Sequence, residues 1–166
     1  HCLTLPRELK LKNGKLYQQP ARELYQMLGS EIQAVHGRNG DCFAAADTRI
    51  YHLTLQAAEC PAGLHFELGE ASLHWDGERF VFVRQNWAGS DETRACLLRR
   101  LDCVEIWSDK SSIEVFLNGG EAALSARILP RTEAAAIAIT GMPENAELTI
   151  RKIRTNKNTE KERKSK

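Results

Sequence analysis

Apolar and polar residues alternate one for one through much of this chain, and the alternating runs stop at glycine, proline, aspartate or asparagine turn signals. A strand turns successive side chains to opposite faces, so period-two alternation describes extended segments with one dry face and one wet face. From Ile50 to Ala57, the residues Tyr51, Leu53, Leu55 and Ala57 alternate with His52, Thr54 and Gln56. Leu64, Phe66 and Leu68 repeat the pattern after Gly63. Ala71, Leu73 and Trp75 repeat it again before Asp76-Gly77, a pair suited to the positive φ of a tight hairpin turn, with Phe80 to Val83 as the return strand. Asn86 to Glu92 reads as a loop. Arg94 to Trp107 holds too many apolar residues for one surface strand and is expected to break near Arg99 to Asp102. Ile113, Val115 and Phe116 lead into Asn118-Gly119-Gly120, the clearest hairpin turn, and Ala123 to Leu129 returns until Pro130 ends the ladder. Ala134 to Thr140 and Glu147 to Ile153 complete nine or ten short strands. With no recurring long helical stretch, the expected class is all-β, a two-sheet antiparallel β-sandwich; a closed barrel shares this periodicity.

The ends differ from this middle. Residues 1–30 read as a linker segment, residues 31–153 as the sandwich, and residues 154–166 as a basic, solvated tail. In the linker, Leu3 and Leu5 fall on one side before Pro6, Asn13-Gly14-Lys15 is a turn, and ARELYQML after Pro20 has the composition of a short helix. The run from Arg151 to Lys166 carries eight basic and two acidic residues, while the whole chain has a net charge of +1. That overall balance attracts neither nucleic acid nor an anionic membrane, and a solvated end accounts for the basic run better than a nucleic-acid arm. No apolar run has the length to cross a bilayer. A chain of 166 residues with 42% apolar content is enough for one core.

Five cysteines, Cys2, Cys42, Cys60, Cys96 and Cys103, form an odd set without CxxC spacing, which favours reduced thiols in a cytoplasmic protein. His1, His36, His52, His65 and His74 never fall at a metal-ligand spacing with a nearby carboxylate. No metal and no cofactor is expected.

Two stretches carry a more specific signal. Leu3 to Tyr25, with LTLPREL and NGKLYQQPARELY, resembles the junction in glycoside hydrolase family 32 where a catalytic propeller gives way to a sandwich. Glu105 to Pro130 resembles that sandwich's late hairpin: Asp109, Ser111, Glu114, Val115, Phe116, Asn118, Gly120 and Glu121 match D-x-S-x-x-E-V-F-x-N-x-G-E in order. The resemblance covers Cys2 to about Ile153 and is nearest to bacterial sucrose-6-phosphate hydrolases (sucrases, invertases). It implies a concanavalin-like jelly roll attached to an N-terminal five-bladed β-propeller that hydrolyses sucrose or its 6-phosphate. It also implies a propeller bearing W-M-N-D-P-N-G, R-D-P and E-C motifs. The first two are absent here, and Glu59-Cys60 stands before Pro61 with no aspartate motif ahead of it. Retaining hydrolysis needs two carboxyl groups about 5 to 5.5 Å apart across the bond, so the chain is expected to have no catalytic residues. Gly119 stands where an acidic residue is common in the family, and the basic residues after Ile153 depart from its apolar last strand.

Asp109 is then expected in a turn with Ser111, its carboxylate accepting backbone N–H groups. Glu114 interrupts an apolar run and needs a structural partner, for which Arg127 on the neighbouring strand is the candidate. Leu3, Leu5, Leu24 and Tyr25 are expected to form a partly exposed patch against the propeller, and a second subunit is a further candidate partner. Trp75 and Phe66 follow the core face. Trp87 lies in a loop and is the candidate sugar contact under the alternative reading, a sucrose- or fructan-binding module.

Overall fold

A computed structural model of the chain describes residues 3–36 and 40–155. A hairpin comes first, formed by β1 (Arg7–Lys12) and β2 (Lys15–Pro20), with Asn13 (φ 52°) and Gly14 (φ 75°) making the turn. A 3-10 helix, Arg22–Met27, follows. The next strands are β3 (Leu28–Glu31), β4 (Ala34–His36), β5 (Cys42–Ala46), β6 (Tyr51–Gln56), β7 (His65–Glu67), β8 (Ala71–Trp75) and β9 (Arg79–Gln85). The last are β10 (Asp91–Leu97), β11 (Cys103–Asp109), β12 (Ser112–Leu117), β13 (Ala122–Arg127), β14 (Ala135–Thr140) and β15 (Glu147–Ile153).

These strands make a seven-stranded sheet, β10-β9-β8-β7-β14-β5-β4, and a six-stranded sheet, β13-β12-β11-β6-β15-β3. All pairings are antiparallel, and the two sheets form the expected β-sandwich. The core follows from the alternation. Leu53 and Leu55 of β6, Val104 and Ile106 of β11, and Ile113, Val115 and Leu117 of β12 face Phe66, Leu73, Trp75, Phe80, Phe82, Ile137 and Ile139 of the other sheet. Each such side chain contributes roughly 1.5–3 kcal/mol on burial. Asp76 closes the β8–β9 turn by accepting the backbone N–H groups of Glu78 (2.9 Å) and Arg79 (2.6 Å).

The sheets are joined at both lateral seams. On one side the chain itself crosses from β3 to β4 through Ile32 and Gln33. On the other, Arg94 of β10 donates to the Ser125 carbonyl at 2.8 Å, and Arg84 of β9 donates to the Arg127 carbonyl at 2.5 Å. Those carbonyls lie on β13, an edge strand whose outer backbone groups would otherwise be open to pairing with another chain.

Some local expectations change. ARELYQML makes a six-residue 3-10 helix rather than an α-helical turn, because Ala21 provides no side-chain cap and Leu28 is drawn into β3 opposite Ile153. The loop Asn86 to Glu92 is shorter, since Asp91 and Glu92 pair with Gln85 and Arg84 in β10. β3 begins at Leu28, ahead of residue 31. Of the basic tail, Arg154 is anchored by its N–H to the Met27 carbonyl at 2.7 Å, and residues 156–166 lie outside the described residues.

Candidate functional site

The outward face of the six-stranded sheet is where the leading segment and the late hairpin meet. Because Ile113, Val115 and Leu117 turn into the core, Ser112, Glu114 and Phe116 turn outward. Glu114 and Phe116 are nonetheless buried, because residues 5–27 lie over them. Glu114 is 3% exposed. Its Oε1 accepts the Leu5 backbone N–H, and its Oε2 accepts Arg7 Nη2 at 2.6 Å and the Ser125 hydroxyl at 3.2 Å. Arg7 also donates to Gln18 Oε1 (2.9 Å) and Ser125 Oγ (2.6 Å), and its guanidinium sits 5.2 Å from the centre of the Phe116 ring.

The partner of Glu114 is thus Arg7 and not Arg127. In the β12–β13 register Glu114 faces Ser125, while Arg127 faces Ser112 near the strand's end and is exposed. Asp109 is exposed in its turn, where its Oδ1 accepts the Lys110 N–H at 2.7 Å. Both carboxylates border one cavity of about 270 Å³ lined by Leu5, Pro6, Leu24, Met27 and Trp107. Glu114 is held there by three structural donors. Glu59 is exposed in the β6–β7 loop, and Cys60 is buried, its carbonyl accepting the Trp75 indole at 3.3 Å.

A second outward cluster had no counterpart in the sequence reading. Glu105 Oε1 accepts the Tyr25 hydroxyl (2.8 Å) and the Trp107 indole N–H (2.9 Å), and lies 2.9 Å from His52 Nε2. The three rings pack edge to face or tilted, with Tyr25 5.5 Å from Trp107 and His52 4.4 Å from Trp107. Burial pushes the Tyr25 phenol well above its usual range, and the Glu105 carboxylate adds to the shift. The signal was the pair Glu105 and Trp107 at a two-residue spacing, with His52 across from Trp107; reading it requires the register. This cluster and the Glu114 cluster hold the leading segment to the sheet at two points.

Beyond those points the segment offers apolar surface. Leu3 is 94% exposed at the cavity mouth and Tyr25 is 40% exposed, while Leu5 and Leu24 are half-buried. On the β1–β2 hairpin, the pairs Leu11–Leu16 and Leu9–Gln18 put Leu9, Leu11 and Leu16 on one face, and all three are exposed. The hairpin is pinned along β2 by the Gln18 N–H to the Gly120 carbonyl (2.9 Å) and, beside its turn, by a Lys15–Glu121 ion pair. Trp87 stands apart, 88% exposed in the β9–β10 loop. Among the described residues no cluster of three or more His, Cys, Asp or Glu is placed to hold a metal ion, and no helix is long and apolar enough to cross a membrane. Cys42, Cys60, Cys96 and Cys103 are unpaired thiols.

Comparison with known proteins converges on one family. Residues 97–157 match the family described as glycosyl hydrolases family 32 C terminal. A sucrose-6-phosphate hydrolase of Bacillus subtilis (strain 168) is 35% identical over 137 residues, covering 78% of this chain and 28% of that protein. A raffinose invertase of Escherichia coli is 31% identical over 170 residues, covering 89% of this chain and 33% of that protein. Among solved structures, a glycoside hydrolase family 32 protein from Bifidobacterium adolescentis matches with a TM-score of 0.75 and 23% identity, over 91% of this chain and 25% of its own. A sucrose-6-phosphate hydrolase from Lactobacillus gasseri matches with a TM-score of 0.71 and 18% identity, over 89% of this chain and 33% of its own. The chain therefore spans about a quarter to a third of the length of these relatives.

Proposed function

The chain belongs to glycoside hydrolase family 32 as its C-terminal β-sandwich domain, and from that premise we propose that it is the non-catalytic structural domain of a cytoplasmic β-fructofuranosidase acting on sucrose or sucrose 6-phosphate. Its partner is the N-terminal catalytic propeller of the same polypeptide. The division at residue 30 is functional in this reading: the leading segment joins the two domains, and residues 31–153 form the supporting sandwich.

The observation that carries the proposal is the leading segment itself. It is fastened to the sandwich by two buried polar clusters, centred on Glu114 and Glu105, yet it turns Leu3, Leu9, Leu11 and Leu16 to solvent. A hairpin with apolar side chains on an exposed face is stable in water only at a cost, and a covering domain removes it. Asp109 and Glu114 act as a turn former and an ion-pair member, and Leu3, Leu5 and Tyr25 belong to the domain interface.

Two measurements test this. Incubated with sucrose or sucrose 6-phosphate, the chain is expected to release no reducing sugar; turnover that survives repurification would overturn the non-catalytic reading. In the longer polypeptide, replacing Leu9 and Leu11 by serine is expected to lower the unfolding midpoint of the catalytic domain. An unchanged midpoint would remove the interface role.

A further inference from the structure

Two histidines meet on the outward face of the seven-stranded sheet. His65 of β7 and His74 of β8 stand directly opposite each other in the register, beside the pairs Phe66–Leu73 and Glu67–Ser72. Phe66, Leu73 and Trp75 turn into the core, so both histidines turn outward, and each is half-buried. On either side the ladder is bonded at Leu64–Trp75, where the Trp75 N–H donates at 2.9 Å, and at Leu68–Ala71, where the Leu68 N–H donates at 2.8 Å. Bonded and non-bonded pairs alternate along an antiparallel ladder, which makes His65–His74 a non-bonded pair, the kind whose side chains stand closer. The ring centres are 6.0 Å apart and the planes are inclined at 55°.

His65 is held in one orientation. Its Nε2 lies 2.6 Å from Oε1 of Glu67, two residues along on the same face. A carboxylate only accepts, so Nε2 carries the proton, and in the neutral ring Nδ1 keeps its lone pair. Carboxylates stand behind metal-ligating histidines in this way, fixing the tautomer and raising the basicity of the other nitrogen. His74 makes no ring hydrogen bond among the described residues, so its ring can turn. A cation about 2.0–2.1 Å from one nitrogen of each ring would put the ring centres about 5 Å apart, and a turn of His74 that closes about 1 Å completes the chelate. The register neighbours add no positive charge: Thr140 lies beside His65, Val81 beside His74, and Ala138 and Ser72 beside Glu67.

We propose that His65 and His74 together bind a divalent transition-metal ion of the class that favours imidazole, namely zinc, nickel or copper(II), with Glu67 as the positioning residue behind His65. Two ligands are fewer than the three or four of a resident zinc centre, in keeping with the absence of a larger ligand cluster among the described residues, so water fills the remaining positions. The rings come together only when β7 and β8 pair, so the ion binds the folded chain in preference and ties that hairpin. The site lies on the sheet opposite the one that carries the scaffold role and does not rest on it.

The test is a zinc titration of the whole chain followed through the proton–nitrogen correlation signals of the imidazole rings, which read each histidine separately from any binding at cysteine. His65 and His74 are expected to saturate together, on one curve, below about 1 mM zinc. Magnesium, which prefers oxygen ligands, is expected to move neither. Glu67→Ala is expected to weaken zinc binding by about tenfold, and His74→Gln, which removes a ligand outright, to weaken the His65 response by more. The proposal is overturned if neither ring responds at that concentration, if the two rings saturate at different zinc concentrations, or if His74→Gln leaves the His65 curve unchanged. The first two of these outcomes need only the parent chain.

Discussion

Arg7→Ala is expected to destabilise this domain far more than a substitution near the chain's start ordinarily would. Arg7 supplies the only charge-compensating group within salt-bridge distance of Glu114 among the described residues, and Glu114 is 3% exposed. Breaking a buried pair by removing one partner costs about 3–5 kcal/mol, because the remaining charge is left uncompensated. Two donors survive in this case, the Leu5 N–H and the Ser125 hydroxyl, and Arg7 itself is 17% exposed in its side chain, so the low end, about 3 kcal/mol, applies. For a domain of this size each kcal/mol lowers the midpoint by about 2–4 °C, which predicts a fall of about 6–12 °C in thermal unfolding followed by circular dichroism. Arg7→Met keeps most of the aliphatic stem while removing the guanidinium that lies over Phe116, and so separates loss of the charge from loss of the stem. Adding Glu114→Gln to Arg7→Met removes the stranded charge, and the double variant is expected to recover about half of the loss, a coupling that a double-mutant cycle reads directly. A midpoint within about 1 °C of the parent for Arg7→Ala, or strictly additive single losses in the cycle, would refute the reasoning.

Two further outcomes follow from the turn at Gly120 and from the Arg49–Glu70 pair. A Cβ at Gly120 (φ +94°) would stand 2.2 Å from the Gln18 carbonyl, so Gly120→Ala is expected to detach the β1–β2 hairpin, seen as loss of hydrogen-exchange protection at the Gln18 amide while β6 and β11 stay protected. Burial pushes the Glu70 carboxyl up, but the Arg131 N–H and the Arg49 guanidinium overcome it and hold the group below its usual range. A depressed folded-state value means that its contribution is present above the unfolded-state pKa of about 4.3 and is lost as pH falls through the lower folded value. Urea midpoints of Glu70→Gln should therefore lie below the parent's at neutral pH and approach them only as pH falls through the lowered folded-state value; a constant gap would contradict this.

What could be read from sequence was the part governed by near neighbours. The alternation at Tyr51 to Gln56 and Ala71 to Trp75, and the turn residues Asp76-Gly77 and Asn118-Gly119-Gly120, report on faces and hairpins within a few positions, and these elements form as expected. β5, with the sequence CFAAA, was missed because alanines carry little strand signal; its place is set by pairing with β14 and β4. Glu114 was legible as a buried carboxylate needing a partner, but its partner lies 107 positions away and comes from outside the two sheets. Arg127 shares the right face and fails by two residues in register. Trp87 could be singled out as a loop tryptophan from its neighbours alone, and it is 88% exposed. The Glu105 cluster likewise exists only through the β6–β11 register.

The two arginines that reach from β9 and β10 to the carbonyls of β13 determine how this sandwich can come apart. At the β3–β4 side the chain crosses directly between the two edge strands; at the other side two guanidinium groups act as clasps between the edges, beside the longer chain crossings from β10 to β11 and from β13 to β14. Guanidinium in solution competes for the carbonyls those clasps hold and urea competes only as a neutral donor, so the clasped edge should respond to the two denaturants unequally. The same clasps keep β13 occupied within its own chain, so a neighbouring strand that sought to extend the six-stranded sheet there would first have to displace both.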